Sequence, residues 1–191
     1  MKFSTGGGNR RRINAKVSEN TRPTTSKVRQ AIFNMLYSRV DLHGSYVLDL
    51  FAGTGAFGFE AAARGAALVL FVERDMSSVR SIAKNIEVFQ SASSDSVSFT
   101  VARSDVLKFL LDEFGLVKIA DVCFCDPPYA FDEWDHILRA RPAKVLIAES
   151  NREIACTNGY EAATVKRYGG TTVTFMELHE SQPICEQGDS D

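Results

Sequence analysis

Apolar and polar positions fall into two regimes along this chain. Residues 1–20 are Gly-rich, basic and aperiodic. From Pro23 onward a period appears: Val28, Ala31, Ile32, Met35 and Leu36 recur at helical spacing, with Thr24 or Thr25 placed to cap the helix. Gly44 closes that unit. Short apolar strands then alternate with helices. The pattern predicts strands at Tyr46–Phe51, Ala67–Val72, Val97–Ala102, Asp121–Cys125 and Val145–Ala148. Helices are predicted at Phe57–Arg64, Ser77–Phe89, Val106–Phe114 and Trp134–Leu138. Ala67–Val72 is apolar without a break, as expected of a strand covered on both faces. Strand–helix alternation of this kind predicts an α/β fold with a doubly wound, mostly parallel sheet. Ala162–Arg167 and Thr172–Leu178 are separated only by Tyr168–Thr171 and read as a hairpin, so at least one closing strand runs antiparallel.

In open α/β sheets, ligands bind beyond the carboxyl ends of the strands. The first strand leads into Asp49-Leu50-Phe51-Ala52-Gly53-Thr54-Gly55-Ala56-Phe57-Gly58, a literal G-x-G-x-x-G between a strand and a helix. Glu73 ends the next strand, twenty residues after Gly53, where a ribose-binding acid belongs. Asp49 argues against a dinucleotide, because a carboxylate there repels a pyrophosphate and attracts an ammonium. S-adenosylmethionine carries an ammonium and a sulfonium and no phosphate. The usual partners of hydride transfer are also missing: there is no Tyr-x-x-x-Lys, and His43, His136 and His179 sit at no predicted strand end. Ser104-Asp105 ends the third strand. Asp105 there can accept from the exocyclic amine of adenine, and it can equally cap the next helix.

The fourth strand ends in Cys125-Asp126-Pro127-Pro128-Tyr129. Two prolines fix the backbone and withhold donors from the sheet. A rigid turn with a carboxylate and an aromatic ring suits methyl transfer to an aryl amine. Asp126 and the Pro127 carbonyl can accept from the amine and favour its pyramidalisation, while Tyr129 stacks on the base. The carboxylate also stabilises positive charge developing on nitrogen. Cys123 and Cys125 alternate within the strand and read as core thiols. No cluster has zinc spacing, so no metal is expected. Glu149 ends the fifth strand, and nearby Arg152 has a substrate contact or a surface role open to it.

Composition narrows the class further. The 191 residues are 45% hydrophobic and 24% charged, as in globular chains. No apolar run reaches the ~20 residues of a membrane span, and no secretory h-region opens the sequence. Scattered cysteines and the missing signal point to the cytoplasm. The net charge of −2 divides into +7 over residues 1–30 and −9 over the rest. A basic arm on an acidic body predicts a polyanionic partner held at one end, through Arg10, Arg11, Arg12 and Arg22.

Asp49-Leu-Phe-Ala-Gly-Thr-Gly-Ala, Asp126-Pro-Pro-Tyr and Thr21-Arg-Pro-Thr-Thr-Ser-Lys-Val-Arg-Gln-Ala-Ile-Phe-Asn34 together resemble the RsmD family over about residues 20–180. These are bacterial methyltransferases acting on the N2 amine of a guanine in 16S ribosomal RNA. The resemblance implies a class I S-adenosylmethionine-dependent methyltransferase fold: a Rossmann-like, seven-stranded sheet with an antiparallel C-terminal hairpin. It implies a cofactor site of Thr24, Thr25, Asp49, Phe51, Gly53, Gly55, Glu73, Arg74, Asp105 and Val106. It also implies a basic RNA-binding arm at 1–20, a methyltransferase domain at 21–180 and a polar tail at 181–191. Family members carry an Arg-Ile-Ile-Gly-Gly strand at the N-terminus, where this chain has Phe3-Ser-Thr-Gly-Gly-Gly-Asn-Arg-Arg-Arg-Ile13. The implied partner is 16S rRNA in the small subunit or its assembly intermediate; with no obvious exposed apolar helix in the sequence, a monomer is expected. Asp-Pro-Pro-Tyr also serves adenine-N6 methyltransferases on DNA or RNA, and a non-catalytic RNA-binding assembly factor can keep the same fold. Nucleoside analysis separates the first of these from guanine-N2 transfer, and intact Asp49, Asp126 and Tyr129 argue against the second.

Overall fold

Tyr46–Leu50 (β3) and Leu68–Val72 (β4) are interior strands of the sheet because both of their faces are apolar. Val47, Val69 and Phe71 pack into one core layer, and Leu48, Leu50, Leu70 and Val72 into the other. The computed structural model describes residues 2–4, 10–12, 26–92, 96–112 and 119–179. In chain order the elements are β1 (Lys2–Ser4), β2 (Arg10–Arg12), α1 (Ser26–Tyr37), β3, α2 (Ala56–Ala63), β4, α3 (Met76–Ala92), β5 (Ser98–Ala102), α4 (Val106–Asp112), β6 (Ala120–Cys125), α5 (Trp134–Ala140), β7 (Ala143–Ser150), β8 (Tyr160–Tyr168) and β9 (Thr171–Leu178).

The main sheet has seven strands in the order β5-β4-β3-β6-β7-β9-β8. β5 to β7 pair in parallel, and β9 enters antiparallel between β7 and β8. The strand order reverses direction between β3 and β6, where a doubly wound sheet opens its ligand crevice. This is the expected α/β architecture, hairpin included. The predicted strands and helices from β3 onward are all present, with ends shifted by a few residues.

Residues 1–20 depart from the expectation of an aperiodic arm: β1 and β2 pair antiparallel, with Phe3 opposite Arg11. Strands of three residues are too short to leave an alternation, so pattern reading passes over them. Arg22, Thr24 and Thr25 lie outside the described residues, as does the tail from 181.

On the α1 side, Ile32, Phe33 and Leu36 pack over Phe57, Phe124 and Phe175. The Phe57 and Phe124 rings stack at 4.8 Å between centroids. Burial of such rings supplies both apolar area and ring–ring attraction. The other layer holds Cys123 and Cys125 among Leu48, Leu146 and Met176, so both thiols are core residues, as expected. Burial pushes their pKa values well above the ordinary thiol range.

Candidate active site

The glycine turn follows β3 through a run of left-handed backbone. Phe51, Gly53 and Gly55 have φ of 57°, 53° and 76°. Such angles are cheap for glycine and uncommon for phenylalanine. Phe51 is held there by an edge-on contact with Phe131, at 5.1 Å between centroids, which ties the first strand end to the fourth. Gly58 serves a different purpose. A Cβ at that position would lie 2.3 Å from Phe71 Cε1 and 2.7 Å from Val69 Cγ1. Its absence lets α2 lie directly on β4.

Two acids support this turn, and a third caps the helix after β5. Glu73 Oε2 accepts from the Gly53 N–H at 2.7 Å, and Oε1 accepts from Asp75 N–H at 2.8 Å. Each oxygen keeps a further lone pair for a ligand. Asp49 is buried, and its Oδ2 accepts from Gly58 N–H at 2.9 Å. That N–H belongs to the first turn of α2, whose Gly55 cap has no side chain to offer. Burial raises the Asp49 pKa well above the carboxylate norm, and Asp126 and Glu73 push the same way against the Gly58 bond. Asp105 caps α4: its Oδ1 accepts from Leu107 N–H at 3.0 Å and from Lys108 N–H at 3.4 Å. The capping reading of Asp105 therefore holds, and its other oxygen stands 3.8 Å from Arg74 Nη1.

Asp126, Pro127 and Tyr129 lie just past β6, beside the turn. Pro127 is buried, Asp126 half-buried and Tyr129 exposed. The Pro128 carbonyl accepts from Phe131 N–H at 2.8 Å, closing the bend. Tyr129 Oη and Thr171 Oγ1 are 3.0 Å apart, which fastens the ring to the start of β9.

One cleft of about 1150 Å³ joins these parts. Asp49, Phe51, Gly53, Glu73, Arg74, Asp105 and Val106 line one end, and Asp126, Pro127 and Tyr129 line the other. Gly55 is in the turn itself, packed on Phe59 and Phe71. The end lined by Glu73, Asp105 and the glycine turn offers acceptors for ribose hydroxyls and an adenine amine and, among the described residues, no cluster of cations for phosphates. S-adenosylmethionine fits this donor and acceptor set.

Sequence reading missed Arg29. It lines the cleft and is 9% exposed. Burial lowers its pKa, and Glu60 and Glu149 oppose that shift. The signal was present: 29, 32, 33 and 36 form one helical stripe, and Arg29 occupies an apolar slot in it. Thr171 and Tyr168 also line the cleft, brought there by the β8–β9 hairpin.

A family model described as conserved hypothetical protein 95 matches residues 1–177. The Haemophilus influenzae protein named ribosomal RNA small subunit methyltransferase D is 34% identical over 134 residues, which is 70% of this chain. The match spans 63% of that relative's length. Among solved structures, Escherichia coli yhhF, provisionally described as a methyltransferase, superposes with a TM-score of 0.77 at 23% identity, over 93% of this chain and 97% of its own. Magnesium protoporphyrin IX methyltransferase of Synechocystis, solved with S-adenosylmethionine bound, has a TM-score of 0.62 at 15% identity, over 80% and 79%.

Proposed function

The chain belongs to the RsmD family, and from that premise we propose that it methylates the N2 amine of a guanine in 16S rRNA, using S-adenosylmethionine. Its sheet has the class I S-adenosylmethionine-dependent methyltransferase fold. The observation that carries the reading is the shared cleft: Asp126-Pro127-Pro128-Tyr129 opens onto the same space as the glycine turn, Glu73 and Asp105.

Gly53, Gly55, Glu73, Asp105 and Val106 would hold the nucleoside half of the cofactor, and Asp49, Phe51 and the segment around Thr24 and Thr25 its methionine half. When bound, the cofactor supplies a methyl carbon on positively charged sulfur. The chain's own residues prepare the nucleophile. Asp126 and the Pro127 carbonyl accept the two amine hydrogens, drawing the nitrogen lone pair out of conjugation with the ring. Tyr129, fastened through its hydroxyl to Thr171, offers a flat face on which the base stacks. The Asp126 carboxylate then stabilises the charge that develops on nitrogen. A stacked base cannot reach Asp126, so the substrate is a loop nucleotide or a flipped base. Arg10–Arg12 in β2, with Arg22, would hold RNA phosphates without reading sequence.

The test is transfer of labelled methyl to purified small ribosomal subunits lacking the modification, followed by nucleoside analysis. N2-methylguanosine is the expected product. Label in N6-methyladenosine would overturn the substrate, and no transfer to RNA by a cofactor-binding protein would overturn the activity.

A further inference from the structure

Asp49, Asp126 and Glu149 stand on one face of the sheet. Two residues before each, Val47, Phe124 and Ile147 pack into the core layer beneath α1. Side chains return to the same face every second residue. β6 and β7 pair with Cys125 opposite Ala148, which sets Asp126 beside Glu149 one step further on. Adjacent strands lie about 4.8 Å apart. Glu149 is 4% exposed and lines the cleft together with Asp126, Pro127 and Tyr129. α1 lays the Arg29 guanidinium near Glu149, which offsets the charge of the acidic row. Burying an acid is costly unless it is compensated. Methyl transfer as derived above gives Glu149 no task.

Two acids side by side present acceptors only. On guanine, the N2 amine is flanked by N1–H, so the edge offers donors at both positions. On adenine and cytosine, the exocyclic amine is flanked by a ring nitrogen lone pair, which a carboxylate repels. Resting on the guanine-N2 reading, we infer that Glu149 is the residue that selects guanine, accepting its N1–H while Asp126 holds the N2 amine. Arg152 cannot take this role, since a guanidinium has no acceptor for N1–H, and its own is paired with Asp132.

The base analogue 2-aminopurine keeps the N2 amine and lacks N1–H together with O6, and Glu149→Gln then separates the loss of N1–H from the loss of O6. Small subunits are assembled from rRNA carrying guanine or 2-aminopurine at the mapped target. The unaltered protein should methylate guanine at least about 100-fold more efficiently, since a site built to hydrogen-bond an N–H rejects the analogue lacking it by up to about 10⁴–10⁵-fold. Glu149→Gln should lose most activity on guanine and shrink that preference at least about tenfold, since its amide can donate to the bare N1. Equal rates of the unaltered protein on both bases would overturn the assignment without any variant. A preference that survives Glu149→Gln would overturn it too. Absence of N2-methylguanosine with guanine subunits would sink the parent reading, and the assignment with it.

Discussion

Glu73 reaches back twenty residues to hold the Gly53 N–H at 2.7 Å, so the end of β4 braces the turn that follows β3. The same carboxylate faces the cleft where a ribose would lie. Glu73→Gln keeps the shape and removes the charge. Hydrogen bonds to a charged group contribute about 1.5–3 kcal/mol, so affinity for S-adenosylhomocysteine should fall at least about tenfold by calorimetry. Unchanged affinity with a lowered melting temperature would leave Glu73 as a brace alone.

Asp126→Ala should lower kcat for methyl transfer by about 100-fold or more, the usual cost of removing one preorganised electrostatic group. Cofactor binding should stay close to that of the unaltered protein, because Asp126 follows β6, two strands across from Glu73 after β4 and three from Asp105 after β5. Unchanged turnover would remove Asp126 from the mechanism.

Gly58→Ala should destabilise the fold by about 1–3 kcal/mol in urea denaturation, the range seen for overpacked cores. The added methyl would meet Phe71 Cε1 at 2.3 Å. Combining it with Phe71→Leu should recover part of the loss. Full additivity of the two changes would show that the methyl is accommodated elsewhere.

Asp49 makes stability depend on pH in an unusual direction for an acid. Burial holds its pKa well above 3.8, with Asp126 and Glu73 pushing the same way. A carboxyl protonated more readily in the fold than in the unfolded chain adds stability below its unfolded pKa. That contribution is lost as pH rises through the folded value. Asp49→Asn should therefore melt higher than the unaltered protein at pH 8, with the gap closing toward pH 4. Parallel melting profiles would assign the burial cost to another group.

Much of the fold was legible because its central strands are buried on both faces, and Leu68–Val72 could not read as anything but apolar. The site was legible where chemistry forces a residue type: the glycines of the turn, Asp126 and its prolines. β7 runs to Ser150 although its apolar pattern stops at Ala148, because Glu149 and Ser150 are polar residues at the cleft end of the sheet. β8 is mostly exposed at the sheet edge and carries little pattern. Strand order leaves no trace in periodicity, so the pairing that sets Glu149 beside Asp126 had to be seen. Arg29 was hidden for the opposite reason: its charge counted toward a basic arm, while its place in the α1 stripe puts it under cover.

β9 lies between β7 and β8, yet it follows both in the chain. During synthesis, β3 to β7 can zip together as five parallel strands while β8 waits with no neighbour to bond. Domains fold as they emerge, N-terminal parts first. The turn, Glu73 and Asp105 are complete in that early sheet, whereas Thr171, the anchor of the Tyr129 ring, arrives only with the final strand. A nascent chain would thus have its nucleoside end formed before the wall that meets the base, so in the proposed reaction the basic arm could hold RNA before Tyr129 is fixed to receive a base.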